Sequence, residues 1–169
     1  LGREVPHEIM HLLLAKRLGA GYAGLPNWLN EGLAVMNQAR PDPEFAAALT
    51  RAREAQAQFT LANLCGPFPA DAAQAQLAYA ESESVVRYLR RHYPAANLAK
   101  LLDAYALGAT CEAGVAQGLN LSQAELELAW RADLAAAAPT LPWVLLSAVV
   151  LLGGGVLALL TLGSRKPRQ

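Results

Sequence analysis

From Leu141 to Leu162 the chain runs 22 residues without a charged side chain. A helix rises about 1.5 Å per residue, so a segment of that length crosses the roughly 30 Å hydrocarbon core of a bilayer. The sequence therefore predicts a transmembrane helix over residues 139–164, with 141–162 in contact with lipid. Buried helices of soluble cores are usually shorter and broken by a polar face. Gly153, Gly154 and Gly155 weaken the helix, but glycine is common in membrane spans. A hydrophobic content of 54 % and a mean hydropathy of +0.20 are high for a soluble domain, which fits apolar side chains facing lipid.

The flanking charges give the span a direction. Arg165, Lys166 and Arg168 follow it, whereas the nearest charges before it, Arg131 and Asp133, cancel. The positive-inside rule then places the short tail 165–169 in the cytoplasm and residues 1–138 outside, as the extracytoplasmic domain of a single-pass cell-membrane protein. The chain starts at Leu1 without a signal-peptide pattern, so the export signal is expected upstream, in a longer protein. The 14 basic and 14 acidic residues balance, which leaves no field to attract nucleic acid. Cys65 and Cys111 form no CxxC pair and have no histidine nearby, which argues against a thiolate metal site. A disulfide between them and a pair of buried free thiols both fit the sequence.

Before the span the pattern is helical throughout. Alanine and leucine recur at helical spacing between Pro and Gly punctuation, and no alternating stretch marks a strand. Helices are predicted from about Val5 to Leu18, from Pro26 or Asn27 to Met36, and over 43–58, 70–93, 94–107, 110–118 and 122–137. Gly19 is placed to end the first, and Pro41 and Pro43 end the second. Ser122 followed by Glu125 is a capping box for the last.

One stretch carries chemistry. His7-Glu8-Ile9-Met10-His11 is an HExxH pattern, and on a helix histidines four apart project from one face toward a common metal. Glu8, beside the first, is placed to take a proton from a water in the open position of a zinc site. A catalytic zinc needs three protein ligands. The metzincin pattern would require Gly and His where this chain has Leu14 and Arg17. The stretch Trp28-Leu29-Asn30-Glu31-Gly32-Leu33-Ala34 instead offers Glu31 on the next helix, separated from His11 by 19 residues that include a Gly-rich turn.

HExxH followed by WLNEGLA resembles the gluzincin metallopeptidases, and Leu77-Ala78-Tyr79-Ala80-Glu81-Ser82 resembles a later helix of the bacterial peptidase MA-like family. Trp130-Arg131 fits that family's ending, so the resemblance covers roughly residues 1–135. It implies a mainly α, helical zincin core, without the sheet that zincins place upstream of the HExxH helix. It also implies one zinc ion held by His7, His11 and Glu31, with Glu8 as general base, acting on a peptide or protein substrate. In thermolysin an acidic residue stands four positions after the ligand Glu, where this chain has Val35. The histidines must then be oriented by other partners, such as backbone carbonyls.

The remaining candidates have plainer readings beside the functional ones. Tyr79 is read either as a donor to the oxyanion of the reaction or as a core aromatic. His92, at a helix end, is read as structural through the helix dipole. Glu81 and Glu83 are read as surface charges. Intramembrane metalloproteases place HExxH within a span, whereas here Lys16 and Arg17 follow it closely. The non-enzymatic alternative is a membrane-anchored binding or scaffold module that keeps the gluzincin fold, to which retention of Glu8 is the objection.

Overall fold

The structure, a computed structural model, describes residues 4–40 and 42–136. Seven α-helices follow one another: α1 (Glu4–Leu18), α2 (Asn27–Met36), α3 (Phe45–Glu54), α4 (Ala72–His92), α5 (Ala95–Ala106), α6 (Cys111–Leu119) and α7 (Gln123–Ala136). A 3₁₀ segment, Gly19–Gly24, fills the Gly-rich turn between α1 and α2. No strand occurs among the described residues. Residues up to Leu134 form one unit.

Local chemistry places the helix ends. Asp71 accepts from the Gln74 amide at 2.9 Å and Thr110 from that of Ala113 at 3.2 Å, each taking up an amide that the first turn leaves unpaired. The capping box is formed reciprocally: the Ser122 amide donates to the Glu125 carboxylate at 2.7 Å, and the Glu125 amide donates to the Ser122 hydroxyl at 3.2 Å. The sixth helix does not stop at Gly118. It runs to Leu119 and ends on Asn120, which adopts the left-handed conformation at φ 59°. Gly118 serves packing instead, since a Cβ there would stand 2.6 Å from the Leu101 side chain and 2.9 Å from its backbone.

The core forms between α2 and α4. From α2 come Trp28, Leu29, Leu33 and Val35, and from α4 come Ala78, Val85, Val86 and Leu89, all buried. The two backbones cross closely at Gly32, where a Cβ would meet the Ser82 carbonyl oxygen at 2.4 Å. Around this pair, α5 and α6 pack on each other through Leu101, Tyr105 and Val115, while α7 contributes Leu126 and Trp130. The Trp130 indole donates to the Ser84 hydroxyl at 2.9 Å, which satisfies a polar group in the interior. Helix α1 buries only Leu14 and Leu18.

Two carboxylates read as surface charges are inside. Glu81 is fully buried and Glu83 is 9 % exposed. Position on α4 decides this: the helix runs through the middle of the fold and buries every residue from Ala80 to Val86. Glu83 pairs with Arg87 one turn on. Glu81 accepts from the Phe59 amide at 3.1 Å.

Cys65 and Cys111 are joined in a disulfide with a Cα–Cα separation of 6.1 Å, which settles the alternative left by the sequence. His92 is structural, with Asp133 of α7 2.9 Å from its Nε2. The predicted membrane span lies outside the described residues, and none of the described helices is long and apolar enough to cross a membrane.

Candidate metal centre

Helix α1 presents His7 and His11 on one face, one turn apart, with their Nε2 atoms 3.1 Å from each other. Helix α2 brings Glu31 against them: its Oε2 lies 3.5 Å from His7 Nε2 and 3.6 Å from His11 Nε2. Among the described residues these three side chains form the one group of histidine, cysteine and carboxylate ligands close enough to share an ion. Bonds of about 2.0–2.1 Å at tetrahedral angles separate ligand atoms by roughly 3.3 Å. The observed triangle therefore fits a small divalent metal, and two imidazole nitrogens with a carboxylate oxygen are a donor set suited to zinc.

The position of Glu31 depends on how α2 begins. Pro26 has no amide hydrogen, and no side chain caps the helix. The first free amides, of Asn27 and Trp28, donate instead to the carbonyls of Cys65 and Leu64, at 3.1 and 2.9 Å. A loop distant in sequence thus caps the helix that carries Glu31. That loop is held in turn. Glu81 takes the Phe59 amide, Glu127 takes the Leu61 amide at 2.8 Å, and Arg131 donates to the Phe59 carbonyl at 2.9 Å while pairing with Glu127. The disulfide fastens its far end to α6.

The histidines are oriented by side-chain amides, not by backbone carbonyls. Asn30 Oδ1 lies 3.0 Å from His11 Nδ1 and also accepts from the Tyr22 hydroxyl at 3.4 Å. The Gln38 amide nitrogen lies 3.3 Å from His7 Nδ1. Neither partner was singled out in the sequence. Asn30 has a signal, because it directly precedes Glu31 on the helix facing α1. Gln38 has none, since it follows the end of α2 and reaches back from an irregular segment.

Beside His7 opens a cleft of about 450 Å³, with His7, Glu8, Gln38, Phe45 and Tyr79 in its wall. Tyr79 stands where the core meets the cleft. Its ring packs edge-on against Phe68 at 5.1 Å and against the cluster of Val35, Phe45 and Ala80, yet it also faces the cleft. Burial and the carboxylates of Glu31 and Glu8 push its phenol up, so it remains a hydrogen-bond donor through the neutral range. Burial likewise raises Glu31, while the imidazoles of His11 and His7 pull the other way.

The family model of the Peptidase MA superfamily matches residues 2–136. The chain belongs to this superfamily. The match spans the seven described helices and includes both histidines and Glu31, so this Peptidase MA chain is a metallopeptidase-like protein of gluzincin type. No curated protein and no solved structure matches it.

Proposed function

We propose that this Peptidase MA chain is a zinc-dependent peptidase that hydrolyses peptide bonds, with His7, His11 and Glu31 as metal ligands and Glu8 as general base. The observation that carries the reading is the triangle of side-chain atoms, 3.1, 3.5 and 3.6 Å on its edges, whose His7 lines a cleft together with Glu8 and Tyr79. A zinc ion bound there would polarise the scissile carbonyl and lower the pKa of a water. The Glu8 carboxylate takes that water's proton as it attacks and passes it to the leaving amine, which keeps the proton count balanced. Tyr79 donates its phenolic hydrogen to the carbonyl oxygen as negative charge develops there. Phe45 and the Tyr79 ring give the cleft an apolar wall against which a side chain of the substrate packs.

The proposal includes the setting. The uncharged stretch 141–162 anchors the chain in the cell membrane, with the peptidase unit extracytoplasmic and 165–169 cytoplasmic. The Cys65–Cys111 disulfide supports that side of the membrane, because such bridges persist in oxidising compartments.

The test is the metal content of the full chain, purified in a non-ionic detergent and measured by mass spectrometry of metals. It is paired with hydrolysis of a fluorogenic peptide library. One zinc per chain in the parent, lost in His11→Ala and Glu31→Ala together with hydrolysis, is the expected result. A folded parent without zinc sinks the reading.

A further inference from the structure

Helix α4 brings a second polar side chain to the cleft besides Tyr79. Gln76 lies three residues earlier, and residues three apart share a helix face, so both side chains stand in the same wall. Three residues rise about 4.5 Å along a helix axis. An extended peptide advances about 3.3 Å per residue, so the two side chains are spaced to meet main-chain groups one or two residues apart.

Their hydrogen-bonding chemistry is opposite. The Tyr79 phenol donates. The Gln76 amide is turned by its neighbour, since its nitrogen donates to a Glu44 carboxylate oxygen at 3.1 Å. A carboxylate only accepts, so the nitrogen stands on that side, and the end turned away from Glu44 is the amide oxygen, which itself only accepts. Glu44 is fixed by the turn before α3, where its own amide donates to Asp42 Oδ1 at 2.9 Å. An acceptor and a donor one turn apart on one helix face complement a peptide backbone, which offers an N–H and a C=O in nearly every residue.

We propose that Gln76 is a positioning residue that accepts a main-chain N–H of the substrate, so that Gln76 and Tyr79 together lay an extended peptide along α4. This inference rests on the peptidase reading of the site, in which Tyr79 meets the carbonyl of the bond being cut. Gln76 then takes an N–H one or two residues from that carbonyl. The class of substrate follows, because main-chain hydrogen bonds carry no side-chain preference: the site takes extended segments of varied sequence. Proline has no N–H, so it is rejected at the residue that Gln76 holds.

The test compares the full parent chain with Gln76→Leu, both in non-ionic detergent. Gln76 is half-buried and its partner Glu44 exposed, so the variant should fold and keep its metal content, which circular dichroism and mass spectrometry check. The probe is the best-cleaved peptide of the fluorogenic library, prepared with an N-methyl group on each backbone nitrogen in turn and with proline at each position. Expected in Gln76→Leu is a KM raised by about 10-fold with kcat little changed. In the parent, an N-methyl group or a proline at one position within two residues of the cut should raise KM by a similar factor, and in Gln76→Leu that position should lose this sensitivity. The effect of the methyl group on the peptide itself is common to both proteins, and a Gln76 that only held Glu44 would single out no nitrogen. A parent that tolerates N-methylation at every nitrogen around the cut, equal sensitivity in the two proteins, or an unchanged KM in Gln76→Leu overturns the role of Gln76 and leaves the peptidase reading standing. A parent that cleaves no peptide of the library overturns both.

Discussion

The amide of Phe59 donates to the carboxylate of Glu81 at 3.1 Å, and the other oxygen of that buried carboxylate meets no hydrogen-bond partner. Burial pushes Glu81 up to about 8, against the opposing pull of the Phe59 amide and Arg131. Below its ordinary value of 4.5 the group is protonated in both folded and unfolded chains. Between there and about 8 the folded chain keeps a proton that the unfolded chain has released, so stability falls as the pH rises through that window. The parent should lose on the order of a few kcal/mol across it. Glu81→Gln keeps an acceptor for Phe59 and should remove that part of the slope. Thermal melts of both proteins from pH 5 to 8.5 check this.

Glu8 lines the cleft without belonging to the ligand triangle. Glu8→Gln should lower peptide hydrolysis by about 10²–10⁴-fold and leave zinc content at the parental level. A variant that loses both would place Glu8 among the ligands.

Tyr79 packs against the core and also lines the cleft. Tyr79→Phe should keep the melting temperature within a few degrees and lower kcat by about 10²-fold, with little change in KM. Equal kcat in the two proteins would confine Tyr79 to packing.

Gly32 sits beside Glu31 where α2 crosses α4, and any Cβ there meets the Ser82 backbone. The Ser82 backbone cannot turn aside as a side chain could, so in Gly32→Ala the helices must part. The expected cost is about 1–3 kcal/mol, accompanied by weaker zinc binding as Glu31 moves with its helix. Chemical denaturation and zinc titration in competition with a chelator measure the two effects separately.

The disulfide closes a long loop, from Cys65 to Cys111, and in the chain-entropy treatment a closure of that size stabilises by about 4 kcal/mol. Replacing both cysteines by serine should lower the denaturation midpoint accordingly. A loss of zinc affinity in the double-serine variant under conditions where it remains folded would reveal the connection through Cys65 to the start of α2.

The helices were legible because their signals are local: capping residues, Pro and Gly punctuation and helical spacing placed all seven within a few residues. The meeting of His7, His11 and Glu31 was legible for a related reason, since a four-residue spacing on one helix and a motif on the next bring the three side chains together. Burial of Glu81 was not legible. Its neighbours Glu83 and Arg87 suggest a solvated stripe, and only the partners Phe59 and Arg131, far away in sequence, explain an interior carboxylate. Gln38 was hidden for the same reason, because its contact with His7 joins residues 31 apart through an irregular segment. The disulfide lay between: two cysteines permitted it, but only the packing of the loop on α6 decides it.

The loop that caps α2 gives this chain an unusual map of vulnerability. Because Asn27 and Trp28 lean on Leu64 and Cys65, and that loop leans on Glu81, Glu127, Arg131 and Cys111, the metal face is supported from the opposite end of the sequence. A genetic screen for inactive variants would therefore return substitutions at 111, 127 and 131 beside those in the HExxH motif, and zinc supplementation should rescue the former group but not the latter.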